Sequence, residues 1–128
     1  MTVATKLFEV ELEGDTLIVT PTRDLHELDF RDIEREGAVV FERLRRGTAR
    51  NVVLDLHRIS LCGSTALGAF VQLWRVAKSR QGRMALCNIS EREREILEAT
   101  NLDTLWLICT SRDEAMSVVN RTLAKAAS

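Results

Sequence analysis

The chain of 128 residues has 18 lysines and arginines against 19 aspartates and glutamates, which gives a formal net charge of −1 at pH 7. Binding to nucleic acid calls for a basic face or stripe, and this balance offers no electrostatic case for it. The length predicts one domain over residues 1–128, large enough to bury roughly two-thirds of its unfolded surface without a disulfide or a structural metal.

The start of the chain and its apolar runs give no sign of a membrane segment. Lys6, Glu9 and Glu11 fall where a signal peptide would need apolar residues. The longest uncharged run covers residues 59–74, 16 in all, and is shorter than a bilayer span. We therefore expect a soluble, cytoplasmic protein with no membrane partner. Three cysteines without a CxxC pair fit reduced, buried thiols.

The first half of the chain predicts a hairpin followed by a helix. Apolar and polar residues alternate over residues 7–12, as in a half-buried strand, and a Gly-Asp pair then predicts a turn into a second strand over residues 16–20. Helical spacing of apolar residues predicts a helix over residues 30–44, which Gly47 ends. Asp29 is placed to cap this helix.

In the second half, apolar runs and helical periods alternate. Residues 52–56 form a continuous apolar run broken only by Asp55, which is typical of a strand covered on both faces. Capping boxes at Ser90 and Ser111 predict the starts of two helices. The other elements are a helix with an apolar stripe over residues 67–74 and strands over residues 84–87 and 105–108. The order ββαβαβαβα predicts an α/β fold with a mixed β-sheet, in which an N-terminal hairpin precedes parallel βα units flanked by helices.

The candidate functional residues lie between the strand over residues 52–56 and the helix that follows. Gly63, Ser64 and Thr65 open directly onto the helical pattern. A helix start offers unpaired backbone N–H groups and the positive end of the helix dipole, so it tolerates an anion well. Ser64 can therefore cap the helix, and it can also carry a phosphate. The residues alone leave both roles open.

This segment resembles the STAS domain (sulphate transporter and anti-sigma factor antagonist). The resemblance rests on Leu54-Asp55-Leu56 at the strand end and on Ser64-Thr65-Ala66-Leu67-Gly68 at the helix start, and it extends over residues 10–119. Ala66 stands where glycine is more usual. Gly63 stands where partner-switching members place an aspartate, and glycine would give the loop access to positive φ.

The resemblance implies an anti-sigma factor antagonist in a bacterial partner-switching pathway, with a STAS-like fold and no enzymatic activity. Ser64 would be the phosphorylated serine, with Thr65 as a weaker alternative. The implied partners are an anti-sigma factor, or histidine-kinase-like serine kinase, and a serine/threonine phosphatase. Partners of such sheets usually meet the loops at the carboxyl ends of parallel strands. The expected docking surface comprises His57, Arg58, Ile59, Leu61, Cys62, Gly63, Ser64, Thr65 and Asn88.

Other interpretations compete with this one. A STAS scaffold that is not phosphorylated would bind its partner constitutively or self-assemble as a homodimer. More remotely, the cysteines at the strand ends suggest a small thiol or metal-binding α/β protein, although no ligand pair has zinc spacing. Asp55 at the strand end could suggest a catalytic role. An aspartate at such a position more often accepts hydrogen bonds from nearby loop N–H groups. We expect no metal and no cofactor, because the sequence has no glycine-rich phosphate loop.

Overall fold

The computed structural model describes residues 2–25 and 30–120, so the proposed cap residue Asp29 lies outside the described residues. Six strands form one sheet in chain order: β1 (Thr2–Ala4), β2 (Phe8–Glu13), β3 (Thr16–Pro21), β4 (Asn51–Asp55), β5 (Met84–Cys87) and β6 (Leu107–Cys109). The first three strands pair antiparallel, and β3 to β6 pair parallel. The predicted mixed sheet is confirmed.

Four α-helices connect or follow the strands: α1 (Phe30–Arg46), α2 (Ser64–Ser79), α3 (Glu91–Ala99) and α4 (Arg112–Asn120). The first helix ends where Gly47 was predicted to stop it, and the Gly47 N–H bonds back to the Arg43 carbonyl at 3.1 Å. No helix in the described part of the chain is both long and apolar enough to cross a bilayer.

Two elements differ from the sequence prediction. Strand β1 was not predicted, because three residues are too few to show an alternating pattern. The last strand was predicted too early in the chain: a 3-10 turn, Leu102–Thr104, comes first, and the Leu105 N–H closes it on the Leu102 carbonyl at 3.1 Å. Trp106 therefore precedes β6 rather than belonging to it, and it is buried.

The central strand β4 is covered on both faces, as its continuous apolar run predicted. On one face Val52 and Leu54 join the larger core with α1, α2 and α3. On the other face Val53 joins a smaller core beneath α4. This burial fixes where β4 ends, and hence where the chain emerges at the carboxyl edge of the sheet with Asp55 as its last strand residue.

The turn between α2 and β5 is fixed at the opposite edge by a close backbone approach. A Cβ atom on Gly82 would lie 1.7 Å from the Arg50 carbonyl oxygen, so only glycine fits there. Beside it, the Arg80 guanidinium donates to the carbonyls of Gly47 at 3.1 Å and Ala49 at 2.7 Å. It also donates to the Leu44 and Arg45 carbonyls at the end of α1. These contacts set α1 and α2 side by side.

Candidate functional site

The site is built around Asp55, whose carboxylate is buried at the carboxyl end of β4. It accepts hydrogen bonds from the His57 backbone N–H at 3.1 Å, His57 Nδ1 at 2.9 Å, Asn88 Nδ2 at 2.9 Å and Arg112 Nε at 2.9 Å. Burial alone would raise the pKa of Asp55, but the hydrogen bonds from Asn88, Arg112 and His57 together hold that pKa below its ordinary value. The structural role predicted for Asp55 is confirmed.

Arg112, which no local sequence pattern indicates, extends this network across the sheet. Its guanidinium also donates to Glu11 of β2 at 3.0 Å and to the Thr20 hydroxyl of β3 at 3.1 Å. One side chain from the first turn of α4 thus bonds to side chains on three strands, β2, β3 and β4. The one clue in the sequence was that a buried Asp55 needs a cation, and nothing local indicated which cation supplies it.

Asn88 reaches the same network from the loop after β5. The register pairs Asp55 with Cys87, so the predicted neighbourhood of the two strand-end loops is confirmed. Asn88 has a positive φ of 58°, a conformation that asparagine tolerates better than most residues. In this conformation the side-chain amide of Asn88 donates its hydrogen bond to Asp55.

The loop after β4 divides into exposed and buried residues. The side chain of His57 is 46% exposed, and Arg58 is exposed and forms an ion pair with Glu9 at 3.0 Å. Ile59 and Cys62 point inward and are buried in the larger core. Those two predicted docking residues therefore anchor the loop to the core and are not accessible to a partner.

Helix α2 begins at Ser64, one residue earlier than it would if Ser64 were the N-cap. The N-cap is Gly63, with φ −77° and ψ 174° and no side-chain cap. Ser64 is therefore not the N-cap, which was one of the two roles that the sequence left open. Gly63 does not use the positive φ that glycine allows, and its extended conformation is open to any residue. Ser64 is exposed at the first helical position, and Thr65 is half-buried.

The third helix begins at the predicted capping box, but only half of the box forms. Ser90 Oγ accepts from the Glu93 N–H at 3.0 Å, as predicted. The Glu93 carboxylate does not close the box; it accepts instead from the backbone N–H of Cys62 at 2.7 Å. Ser90 Oγ also donates to the Ser60 carbonyl at 2.6 Å. The start of α3 thus contacts the loop that leads to Ser64.

The three cysteines are buried, and none of them is in a disulfide. Burial, with the charge of Asp55 next in importance, raises the pKa of the Cys87 thiol to about 12. Burial also raises the pKa of the Cys62 thiol. The described residues contain no group of three or more His, Cys, Asp or Glu side chains placed to hold a metal ion. These surroundings disfavour thiolate chemistry.

Of the grooves on the α1 side of the sheet, two bear on the position of the site. The groove nearer the site has a volume of about 340 Å³, lies between α1 and α2, and is lined by Thr65 together with Gly37 and Gly68. A larger groove of about 750 Å³ lies by the end of α1, near Leu12 and Ala49, where β4 begins rather than where it ends. The smaller groove is the one continuous with the start of α2.

The carboxyl-edge loops and the helix start have the arrangement that the resemblance implied, and the STAS domain family model matches residues 8–115. The chain belongs to the STAS domain family. A Thermotoga maritima protein assigned as an anti-sigma factor antagonist is 26% identical over 115 residues, which cover 90% of this chain and 99% of that protein.

Solved structures of anti-sigma factor antagonists share the fold. A crystal structure of an assigned anti-sigma factor antagonist from Thermotoga maritima is 26% identical, covers 91% of this chain and 97% of its own, and has a TM-score of 0.79. The anti-sigma factor antagonist SpoIIAA, in its unphosphorylated form, is 19% identical with a TM-score of 0.74, over 88% of this chain and 95% of its own. Bacillus SpoIIAA in its phosphorylated form is 18% identical with a TM-score of 0.63, over 88% of this chain and 99% of its own.

The geometry of Gly63 leads to a prediction for this STAS domain. Replacing Gly63 with aspartate should raise the free energy of unfolding by roughly 0.5 kcal/mol, because the carboxylate can accept from the first free N–H groups of α2 and sits at the positive end of its dipole. Urea denaturation measures the change. Gly63→Asn separates the hydrogen bond from the charge, and Gly63→Ala reports the cost of a Cβ atom. A loss of stability in both capping variants would contradict the prediction.

Proposed function

We propose that this STAS domain is a cytoplasmic anti-sigma factor antagonist in a bacterial partner-switching pathway, controlled by phosphorylation of Ser64. The observation that carries the proposal is the position of Ser64, exposed at the first residue of α2. The helix has no side-chain cap and no acidic residue in its first turn. A phosphate on Ser64 would therefore meet backbone N–H groups and a favourable dipole instead of a competing carboxylate.

The switch would act through charge. Phosphorylation adds about −1.5 to −2 charges at pH 7, which the fold tolerates at a helix start but a docked partner with apolar or acidic contacts does not. Unmodified protein would bind the anti-sigma factor and so free a transcription factor; phosphorylated protein would dissociate. The anti-sigma factor would be the histidine-kinase-like serine kinase, and a serine/threonine phosphatase would reset the cycle. This chain acts as substrate and competitor, not as an enzyme.

The docking surface in this proposal is the exposed part of the predicted one. It consists of the His57–Arg58 turn, Leu61 and Gly63 in the loop that follows, the start of α2 at Ser64 and Thr65, and the Asn88 loop. The hydrogen bonds of Asp55 hold the first and last of these together. The names of relatives support the partner class, since the Thermotoga proteins and SpoIIAA are all described as anti-sigma factor antagonists.

An in vitro labelling experiment tests the proposal. Purified protein is incubated with Mg²⁺-ATP and an extract of the cells that make it, and phosphopeptides are mapped by mass spectrometry. We expect phosphate on Ser64, absent from Ser64→Ala and retained in Thr65→Ala. Phosphate that is lost in Thr65→Ala but retained in Ser64→Ala would identify Thr65 as the phosphorylated residue. No phosphate on either residue would contradict phosphorylation control.

A constitutive binding module is the second candidate, and Gly63 favours it. The resemblance places an aspartate at this position in partner-switching members, and glycine offers neither its charge nor its hydrogen bonds. Under this alternative the same surface binds its partner, or a second copy of the chain, without modification. The labelling experiment separates the two candidates.

A further inference from the structure

The loop before Ser64 is held by acceptors that lie outside it. Four consecutive N–H groups, those of residues 60–63, each have such a partner. Asp24 Oδ1 accepts from the first two, at 2.7 and 3.5 Å. The Leu25 carbonyl accepts from the last at 3.1 Å, and Glu93 Oε1 accepts from Cys62 at 2.7 Å. The path of the backbone into α2 is therefore set by contacts from two other segments of the chain.

Glu93 differs from Asp24 because its carboxylate is deeply buried, with only 2% of the residue exposed. Its second oxygen, Oε2, is buried without a hydrogen-bond partner among the described residues. Burial raises the pKa of this carboxyl, against the opposing effect of the hydrogen bond from Cys62. An apolar side chain would avoid the cost of burying a half-paired carboxylate at this inward position of α3. A carboxylate in the first turn of α3 interacts favourably with the helix dipole, but an exposed carboxylate would do so without the cost of burial. The stability of α3 alone therefore does not account for a buried Glu93.

We propose that Glu93 is a positioning residue for Ser64: by holding the Cys62 amide, it fixes the direction in which α2 begins and so presents Ser64 to its partner. This inference rests on the proposed function of the site. The Cys62 amide precedes Ser64 by two residues, and Ser90 from the same turn of α3 holds the Ser60 carbonyl at 2.6 Å. The start of α3 thus contacts the loop at two points.

Two substitutions of Glu93 distinguish its role as a hydrogen-bond acceptor from its role in filling space in the core. Glu93→Gln keeps an oxygen acceptor for the Cys62 N–H. Glu93→Val places an apolar side chain at the same position and leaves the Cys62 N–H without its acceptor. Glu36→Val is the matched control. Glu36 is also buried and accepts a backbone N–H, that of Leu7 at 2.6 Å, but this N–H precedes β2 and not the Ser64 loop.

Hydrogen exchange and labelling of Ser64 are measured on the same variants. In Glu93→Val, we expect amide exchange at residues 62 and 63 to rise about tenfold, and kcat/KM for phosphorylation by cell extract with Mg²⁺-ATP to fall about tenfold, mainly through KM. Glu93→Gln should restore both values nearly to wild type. Glu36→Val should speed exchange at Leu7 and leave exchange at residues 62 and 63 and labelling unchanged.

Hydrogen exchange and labelling of Ser64 test the inference independently. Unchanged exchange at residues 62 and 63 in Glu93→Val overturns the inference, and so does faster exchange with unaltered labelling of Ser64. A similar loss of labelling in Glu36→Val would mean that the effect is general destabilisation, which also overturns it. If wild-type protein is not labelled at all, phosphorylation of Ser64 fails, while exchange still decides whether Glu93 holds the loop.

Discussion

Replacing Asp55 with alanine is expected to lower the free energy of unfolding by about 3 kcal/mol at neutral pH. The buried carboxylate accepts hydrogen bonds from His57, Asn88 and Arg112. Among the described residues, its removal leaves the half-buried Arg112 guanidinium with Glu11 and Thr20 as partners. Urea denaturation followed by circular dichroism measures the loss.

The pH dependence of this effect has a definite sign. The folded-state pKa of Asp55 is below its ordinary value of 3.8, so its stabilising contribution is present above that value and is lost as the pH falls through the folded pKa. The difference between wild type and Asp55→Ala should therefore shrink in strong acid. Asp32→Ala is the control, because the Asp32–Arg35 pair lies on the surface and should cost less than about 1 kcal/mol. Equal losses in the two variants would contradict the prediction.

Replacing Ser64 with aspartate is expected to weaken binding of the anti-sigma factor at least about 100-fold, which corresponds to about 3 kcal/mol. The added charge lies at the exposed start of α2, in the centre of the proposed docking surface. The fold should be unaffected, since a carboxylate in the first turn of a helix interacts favourably with its dipole. Isothermal calorimetry with the purified anti-sigma factor measures the affinity.

Two variants control for trivial causes of this loss. Ser64→Ala should bind like wild type, because it removes the hydroxyl without adding charge. Ser79→Asp puts the same charge on an exposed residue at the other end of α2 and should also bind normally. Wild-type affinity in Ser64→Asp would indicate the constitutive module, and loss of affinity in Ser79→Asp would indicate a general effect of charge.

Much of the fold could be predicted from the sequence because each element has its own periodicity. The alternation in β2 and the continuous apolar run in β4 are local patterns, and they reported correctly which faces are buried. Strand β1 was missed because it has only three residues. The predicted position of β6 was wrong because the apolar residues Leu105 and Trp106 pack against the larger core from the segment that precedes the strand.

The candidate site was harder to predict because its geometry depends on residues far apart in the chain. Asp55 and Arg112 are separated by 57 positions, and Cys62 and Glu93 by 31. No local pattern indicates such pairs; in the sequence Glu93 looks like an ordinary member of a capping box. The cap of α2 was placed one residue late because serine is a more common cap than glycine.

Intact-mass spectrometry with peptide mapping, on protein isolated from its native cells, tests phosphorylation control most directly. The cells are sampled across growth and stress conditions, so that both states of a switch are represented. We predict a phosphate-sized mass increase that maps to Ser64 and changes in proportion between conditions. Protein that is unmodified under every condition would contradict the switch and leave Ser64 as an ordinary first residue of α2.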